Sequence, residues 1–349
     1  MQRSSMIVAL LLGTASAPPA APPSPAIAPP PAASQPAQRT SPFASEADRA
    51  RGNDPATIAD KLALTRDSAQ RMTVMVSVGG QGPFAFLVDT GSERTAISRQ
   101  LASRLGLRVG EPVRVHSVLG SGMVDTVHIP QLGVGRQALS VVDAPTFEDQ
   151  HIGAAGILGI DSLRSQRVVF DFKGGTMQIA PSRHASVAVE KDTIIVRARS
   201  RNGRLILTSV SLDGVPIAAI IDTGAQVSIG NLPLLRKLQR AGRVRIERDP
   251  DRVSARRSLV EAVTGEVKSV DMAQVQRLDL GGVEVEHVAV AFAEAQIFKE
   301  LGYDRKPALL LGIDAMRSFD KVSIDFAQKK VRFVLPEVAR TDRYRLAMQ

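Results

Sequence analysis

Residues 86–98 read FLVDTGSERTAIS, and residues 219–230 read AIIDTGAQVSIG. In each, an apolar run ends on Asp-Thr-Gly, a small residue follows, and a second short apolar segment comes after it. The stretches leading in, residues 84–88 and 217–221, hold no polar residue, so each aspartate ends a strand expected to be buried. An isolated carboxyl there is costly to ionise. A single Asp-Thr-Gly is most simply a polar turn after a strand. Two in matching surroundings ask for another explanation.

The surroundings do match. Pro83 lies six residues ahead of Asp89, and Pro216 lies six ahead of Asp222. Upstream are the β-branched runs at 72–78 and 205–212, with Gly79-Gly80-Gln81-Gly82 and Asp213-Gly214 as hairpin turns. Downstream, Ser98 and Asn231 are placed to cap short helices that stop near Gly106 and Gly242. Gly-tipped hairpins follow at 117–129 and 262–272, each leading to a Leu-x-Val/Leu-Gly step at 132–135 and 278–281. Each copy closes on an apolar pair with glycine, GILGIDSLRS (156–165) and LLLGIDAMRS (309–318), and then a final hairpin. The chain reads as a duplicated β domain. Residues 67–187 form the expected N-terminal lobe and 188–349 the C-terminal one.

Two such carboxyls brought together across a pseudo-twofold axis can share one proton, because like charges in contact do not both ionise readily. One then acts as base toward a water while the other donates to a carbonyl oxygen. That chemistry hydrolyses an amide without metal, cofactor, Cys, Ser or His. Gly91 and Gly224 are expected to let the backbone turn tightly, aiming amide N–H groups at the carboxyls. Thr90 and Thr223 offer hydroxyls able to bond across the interface and hold the pair rigid.

Over about residues 70–336 the chain resembles the aspartic proteases of the pepsin and retropepsin superfamily. The residues that carry the resemblance are Asp-Thr-Gly-Ser/Ala at 89–92 and 222–225 and the later apolar-apolar-Gly at 157–159 and 310–312. The short helix after each Asp-Thr-Gly is closer to the bacterial retropepsin-like type, here with two units fused in one chain. The resemblance implies a mainly β fold of two pseudo-twofold-related acid-protease barrel lobes with short helices. It implies Asp89 and Asp222 as the catalytic pair, Thr90 and Thr223 as the interlock, and Ser92 as hydrogen-bond partner of the first carboxyl. Ala225 cannot play that last part, which would make the dyad asymmetric, with Asp89 the more readily ionised. The hairpin tips, Gly120, Ser121 and Gly122 in one lobe and Thr264 and Gly265 in the other, fall where the family places its flaps. Neither carries the tyrosine of pepsin flaps. The implied partner is a polypeptide held extended between the lobes by backbone hydrogen bonds, and one chain would suffice as an active monomer.

Composition narrows the alternatives. The chain has 349 residues, 44% of them hydrophobic, enough for two cored lobes, and no cysteine, which removes disulfides and thiol chemistry. Its net charge of +9 suggests nucleic acid, but there is no Trp and aromatics are only 4%, so no nucleic-acid partner is expected. Much of the excess lies in residues 236–257, with nine Lys/Arg against three Asp/Glu, read as a solvated face or as a contact with anionic envelope surface. Residues 1–17 have the layout of a secretory signal, Arg3 before an apolar stretch and Ala15-x-Ala17, although Pro18 disfavours a cut there. An exported protein, periplasmic or secreted, is expected, with the segment either removed or kept as an anchor. Residues 18–66 form a Pro/Ala-rich tether, with ten of the 21 prolines between 18 and 42, and a short helix is expected over 55–64. The five histidines (116, 128, 151, 184, 287) are scattered, and Asp161 and Asp314 read as caps of short helices. Two readings stay open: an aspartic endopeptidase, or a silent module of the same fold that binds extended peptides in the envelope.

Overall fold

A computed structural model describes residues 4–6, 10–13, 60–63, 65–66, 72–135, 137–182, 192–245, 257–336 and 345–347. The architecture is mainly β, in two lobes with the same order of elements. In the first lobe the hairpin Met72–Val78/Gln81–Val88 runs into Asp89, turning at Gly79-Gly80. In the second, Arg204–Leu212/Val215–Ile221 runs into Asp222 and turns at Asp213-Gly214.

What fixes each Asp-Thr-Gly turn is a strand from far along the chain. Gly156–Leu158 inserts between Gln81–Val88, to which it is parallel, and Ala96–Ser98, to which it is antiparallel. Ala308–Leu311 does the same between Val215–Ile221 and Ser228–Gly230. These central strands are buried on both faces, which is why they read as unbroken apolar runs. Their last carbonyls accept the amide hydrogens of the two aspartates, Asp89 N–H to Leu158 O (3.0 Å) and Asp222 N–H to Leu311 O (3.0 Å).

Both expected caps form. The Ser98 hydroxyl accepts from Leu101 N–H (3.0 Å) at the head of Arg99–Arg104, which buries Leu101 and Ala102. Asn231 Oδ1 accepts from Leu234 N–H (3.0 Å) at the head of Leu232–Arg240, whose Leu234, Leu235 and Leu238 face the core. Gly106 and Gly242, both in the left-handed region, follow the two helices.

The lobes are joined by a sheet that neither copy contains alone. Gln166–Asp171 of the first lobe pairs antiparallel with Lys321–Asp325 of the second. Thr176–Pro181 flanks it on one side, and Lys330–Val334 with Thr193–Arg201 on the other. Val168, Phe170, Val322, Ile324 and Phe333 are all buried along this seam, so the lobes bury apolar surface jointly.

Asp60–Ala63 differs from expectation. These residues form an edge strand antiparallel to Thr176–Ile179 rather than part of a helix, because the exposed edge of the joining sheet offers backbone partners that a short isolated helix lacks. Thr65–Arg66 likewise pairs with Met72–Thr73, so the stretch expected as a tether contains paired strands. The rest of the expected helix, 55–59 and 64, lies outside the described residues, as does the Pro-rich stretch. Near the N-terminus, Ser4–Met6 runs parallel to Val113–His116, and Leu10–Gly13 runs antiparallel to the 259–262 strand segment. Among the described residues no helix is long and apolar enough to cross a membrane.

Candidate active site

Asp89 and Asp222 are both fully buried where the lobes meet. In each turn, one carboxyl oxygen is held by two backbone amides of its own loop. Asp89 Oδ1 accepts from Gly91 N–H (2.8 Å) and Ser92 N–H (3.0 Å). Asp222 Oδ1 accepts from Gly224 N–H (3.1 Å) and Ala225 N–H (3.1 Å). Each Oδ2 is buried without a donor from the surrounding loops, and the two carboxyls are within hydrogen-bonding reach of each other.

The glycines do their work by what they lack. Neither Gly91 nor Gly224 has a positive φ, so the tight-turn reason expected from the sequence does not hold. A Cβ on Gly91 would lie 2.5 Å from the Asp222 carboxyl carbon, and one on Gly224 would run into the Asp89 carboxyl. Each lobe's glycine leaves the space that the other lobe's carboxyl fills.

The threonines interlock as expected. Thr90 N–H donates to Thr223 Oγ1 (3.0 Å) and Thr223 N–H to Thr90 Oγ1 (3.0 Å). Each hydroxyl then donates across the interface, Thr90 to Ile221 O (3.1 Å) and Thr223 to Val88 O (2.7 Å). Four buried hydrogen bonds thus tie the two loops. Thr223→Val strands the Thr90 amide and the Val88 carbonyl at once, and each orphaned buried group costs about 1–3 kcal/mol. The expected loss in urea denaturation is about 2–4 kcal/mol for Thr223→Val. It is under about 1 kcal/mol for Thr223→Ser, which keeps the hydroxyl.

Ser92 departs from its expected role. Its hydroxyl donates to Arg94 O (2.7 Å), and only its amide reaches Asp89. Ala225 supplies the same amide to Asp222, so the serine/alanine difference does not make the dyad asymmetric. Asp161 and Asp314 also differ from the expected caps, since Gly159 and Gly312 occupy the cap positions. Asp161 accepts instead from Thr95 N–H (2.9 Å) and Oγ1–H (2.7 Å), and Asp314 from Ser228 N–H (3.2 Å) and Oγ–H (3.0 Å). Both tie the segment after the inserted strand to the segment after the Asp-Thr-Gly turn. Burial pushes Asp314 up to about 6 even so.

Burial acts most strongly on the pair itself. It pushes Asp89 up to about 7 against the pull of the Gly91 and Ser92 amides, and raises Asp222 well above the ordinary carboxylate range, with the Asp89 charge adding to the rise. The two titrate as a unit, and the state this environment favours near neutrality holds one carboxylate and one carboxyl.

Two hairpins meet across the lobes. In the first lobe, Val113–His116 and Ser121–Val124 flank a turn at Ser117–Gly120. Gly120 thus ends the turn, while Ser121 and Gly122 belong to the returning strand. In the second lobe, Arg257–Ala262 leads to a tip that includes Thr264 and Gly265, the latter in the left-handed region. The tips are exchanged. Val118 and Leu119 pack into the second lobe with Ile206, Ile220 and Ile297, and Val263 packs into the first with Leu87, Val115 and Ile157. Glu266 accepts from Ser117 Oγ (2.9 Å) and Thr264 Oγ1 (3.2 Å), and Lys268 Nζ donates to Leu119 O (2.6 Å). The sequence signalled both turns through their glycines, but Glu266 and Lys268 looked like ordinary solvated charges on a strand.

Sequence reading also passed over Arg204, a fully buried arginine that crosses from the second lobe to the loop of Asp89. Its one signal was the Asn202-Gly203 turn before it, which forces the residue back toward the interface.

None of the curated proteins compared with the chain matches it. A family model described as gag-polyprotein putative aspartyl protease matches residues 74–165 and again residues 208–318, one match in each lobe and together more than half of the chain. With an Asp-Thr-Gly turn inside each matched segment, the chain belongs to this retropepsin-like aspartyl protease family, as a tandem form that carries two units.

Proposed function

We propose that this protein is an aspartic endopeptidase, with Asp89 and Asp222 as its catalytic dyad and an extended polypeptide as substrate between the lobes. The observation that carries the reading is the buried pair itself. Two carboxyls from equivalent turns lie buried within reach of each other, each with one oxygen fixed by backbone amides and the other buried without a loop donor.

The ionised carboxylate takes a proton from a water as the water oxygen bonds to the peptide carbonyl carbon. The protonated carboxyl gives its proton to the carbonyl oxygen, leaving a neutral tetrahedral diol. Collapse breaks the C–N bond. A proton passes to the departing amine, and the dyad again holds a single proton. The Thr90–Thr223 lattice supports this chemistry by fixing both carboxyls before substrate arrives. Because one chain supplies both lobes, a monomer would be complete. Export is part of the same proposal, supported by the leader-like layout of residues 1–17, and the basic stretch at 236–257 supports contact with an anionic envelope surface.

The test is to incubate the purified chain with a mixed peptide library from pH 3 to pH 8 and read the products by mass spectrometry. Internal cleavage that grows as pH rises toward about 7, where Asp89 ionises while Asp222 keeps its proton, is the expected result. Peptides bound but left intact across that range would favour the silent binding module instead.

A further inference from the structure

The Arg204 guanidinium is wholly enclosed, with no solvent contact. It opens the strand Arg204–Leu212, next to the Asn202-Gly203 turn, and reaches out of the second lobe under the catalytic loop of the first. Nε (3.1 Å) and Nη2 (2.8 Å) both donate to the carbonyl of Gly91. Nη1 donates to Glu93 (2.6 Å), whose side chain is about a quarter exposed. A cation buried this completely needs an ionic partner and hydrogen-bond acceptors, and Arg204 has an ionic partner and an acceptor for each nitrogen. The residue it grips through Gly91 is the one whose amide holds Asp89 and whose missing Cβ admits Asp222. In the second lobe, the position four residues past Asp222 is Gln226, so this carboxylate occurs on one side only.

We propose that Arg204 is a positioning residue for the dyad, a buried cation shared with Glu93 that braces the Gly91 carbonyl and sets the pH range over which Asp89 and Asp222 hold their common proton. The inference rests on the dyad reading above. The charged groups around it are few. Arg204 acts on both aspartates, each aspartate acts on the other, and Glu93 neutralises Arg204 from the first lobe. Glu300 of the second lobe and His116 of the first also lie within the electrostatic reach of this group, Glu300 feeling Arg204, Glu93 and His116. A positive charge at Arg204 favours the ionised dyad, and Glu93 masks part of that charge. Removing either member of the ion pair therefore moves the dyad in opposite directions, which a plain interlobe clasp does not do.

The experiment follows the carboxyl carbons of Asp89 and Asp222 by NMR in the full-length chain labelled at aspartate, alongside the alkaline limb of kcat/KM for peptide cleavage. Arg204→Gln is expected to move the dyad titration and that limb up by about half a pH unit or more, and Glu93→Gln to move both down. Arg204→Lys, which keeps the charge, is expected to leave the titration within about 0.2 pH units of wild type. Unmoved titrations in folded variants, or shifts of the same sign, overturn the inference. If Arg204→Gln does not fold, Glu93→Gln against wild type decides alone. The NMR readout needs no activity. Opposite shifts in a chain that cleaves nothing would therefore uphold the role of Arg204 while removing the protease reading.

Discussion

Asp89→Asn and Asp222→Asn each lower kcat for peptide cleavage by about a thousandfold or more, with peptide affinity changed only a few fold. In either variant the amide oxygen can still accept from the two loop amides that now hold Oδ1, so the loop keeps its shape. What disappears is the exchangeable proton of one member. The same variants carry a second signature, in stability. Asp89 is raised to about 7 by burial, while the unfolded chain returns it to about 4. Between those values the native protein keeps a proton that the unfolded chain has released. Stability from this group is therefore full below about pH 4, falls as pH rises, and is lost by about pH 7. Asn is neutral throughout and avoids that loss. Asp89→Asn is thus expected to be more stable than wild type by about 2–4 kcal/mol at pH 7.5, and nearly equal to it at pH 4. Urea denaturation at the two pH values measures the difference. A variant that keeps wild-type turnover would remove the dyad from the mechanism, and one with no pH-dependent gain would show that Asp89 ionises normally in the folded protein.

The parts of this molecule that were legible in its sequence are those whose causes are local. The Asp-Thr-Gly turns, the two-residue hairpins before them and the Ser98 and Asn231 caps each depend on residues within a few positions of one another. The inserted strands showed in the sequence only as apolar runs ending on glycine, such as Ala308–Leu311, and their place between two other strands came with the fold. The joining sheet was hidden because it pairs Gln166–Asp171 with Lys321–Asp325, and no periodicity within either strand names the other. Asp60–Ala63 was misread for the same reason, its strand character being supplied by the edge it meets. At the site, the sequence named the right residues and sometimes the wrong contacts. The direction of the Ser92 hydroxyl is a rotamer choice, decided by the nearby carbonyl of Arg94. Arg204 was missed because an arginine after a turn is ordinarily exposed, and only the fold shows that this turn lies between the lobes.

A single added methyl at Gly91 or Gly224 is expected to do nearly as much damage as removing a carboxyl. Neither glycine has a positive φ, so the left-handed conformation that only glycine adopts freely is not the cause. The obstacle is the opposite lobe. On Gly91 the new Cβ meets the carboxyl carbon and both oxygens of Asp222, and on Gly224 it meets those of Asp89. Neither carboxyl can retreat cheaply, because its Oδ1 is held by two amides and the loop behind it by the threonine lattice. The lobes must part or the loops must shift, and overpacking at so constrained a place costs roughly 3 kcal/mol or more. Displacing either carboxyl by about an ångström also spoils its alignment with water and substrate, for a further loss of about a hundredfold in kcat. Gly122→Ala supplies the comparison for stability. That glycine also has an ordinary φ, and a Cβ there would meet nothing within 4 Å, so its change is expected to stay within about 0.5 kcal/mol. Because the two glycines face each other's aspartate, Gly91→Ala and Gly224→Ala should be similarly damaging. If either variant folds and cleaves like wild type, the carboxyls are not held against the opposite loops, and the shared proton loses its structural basis.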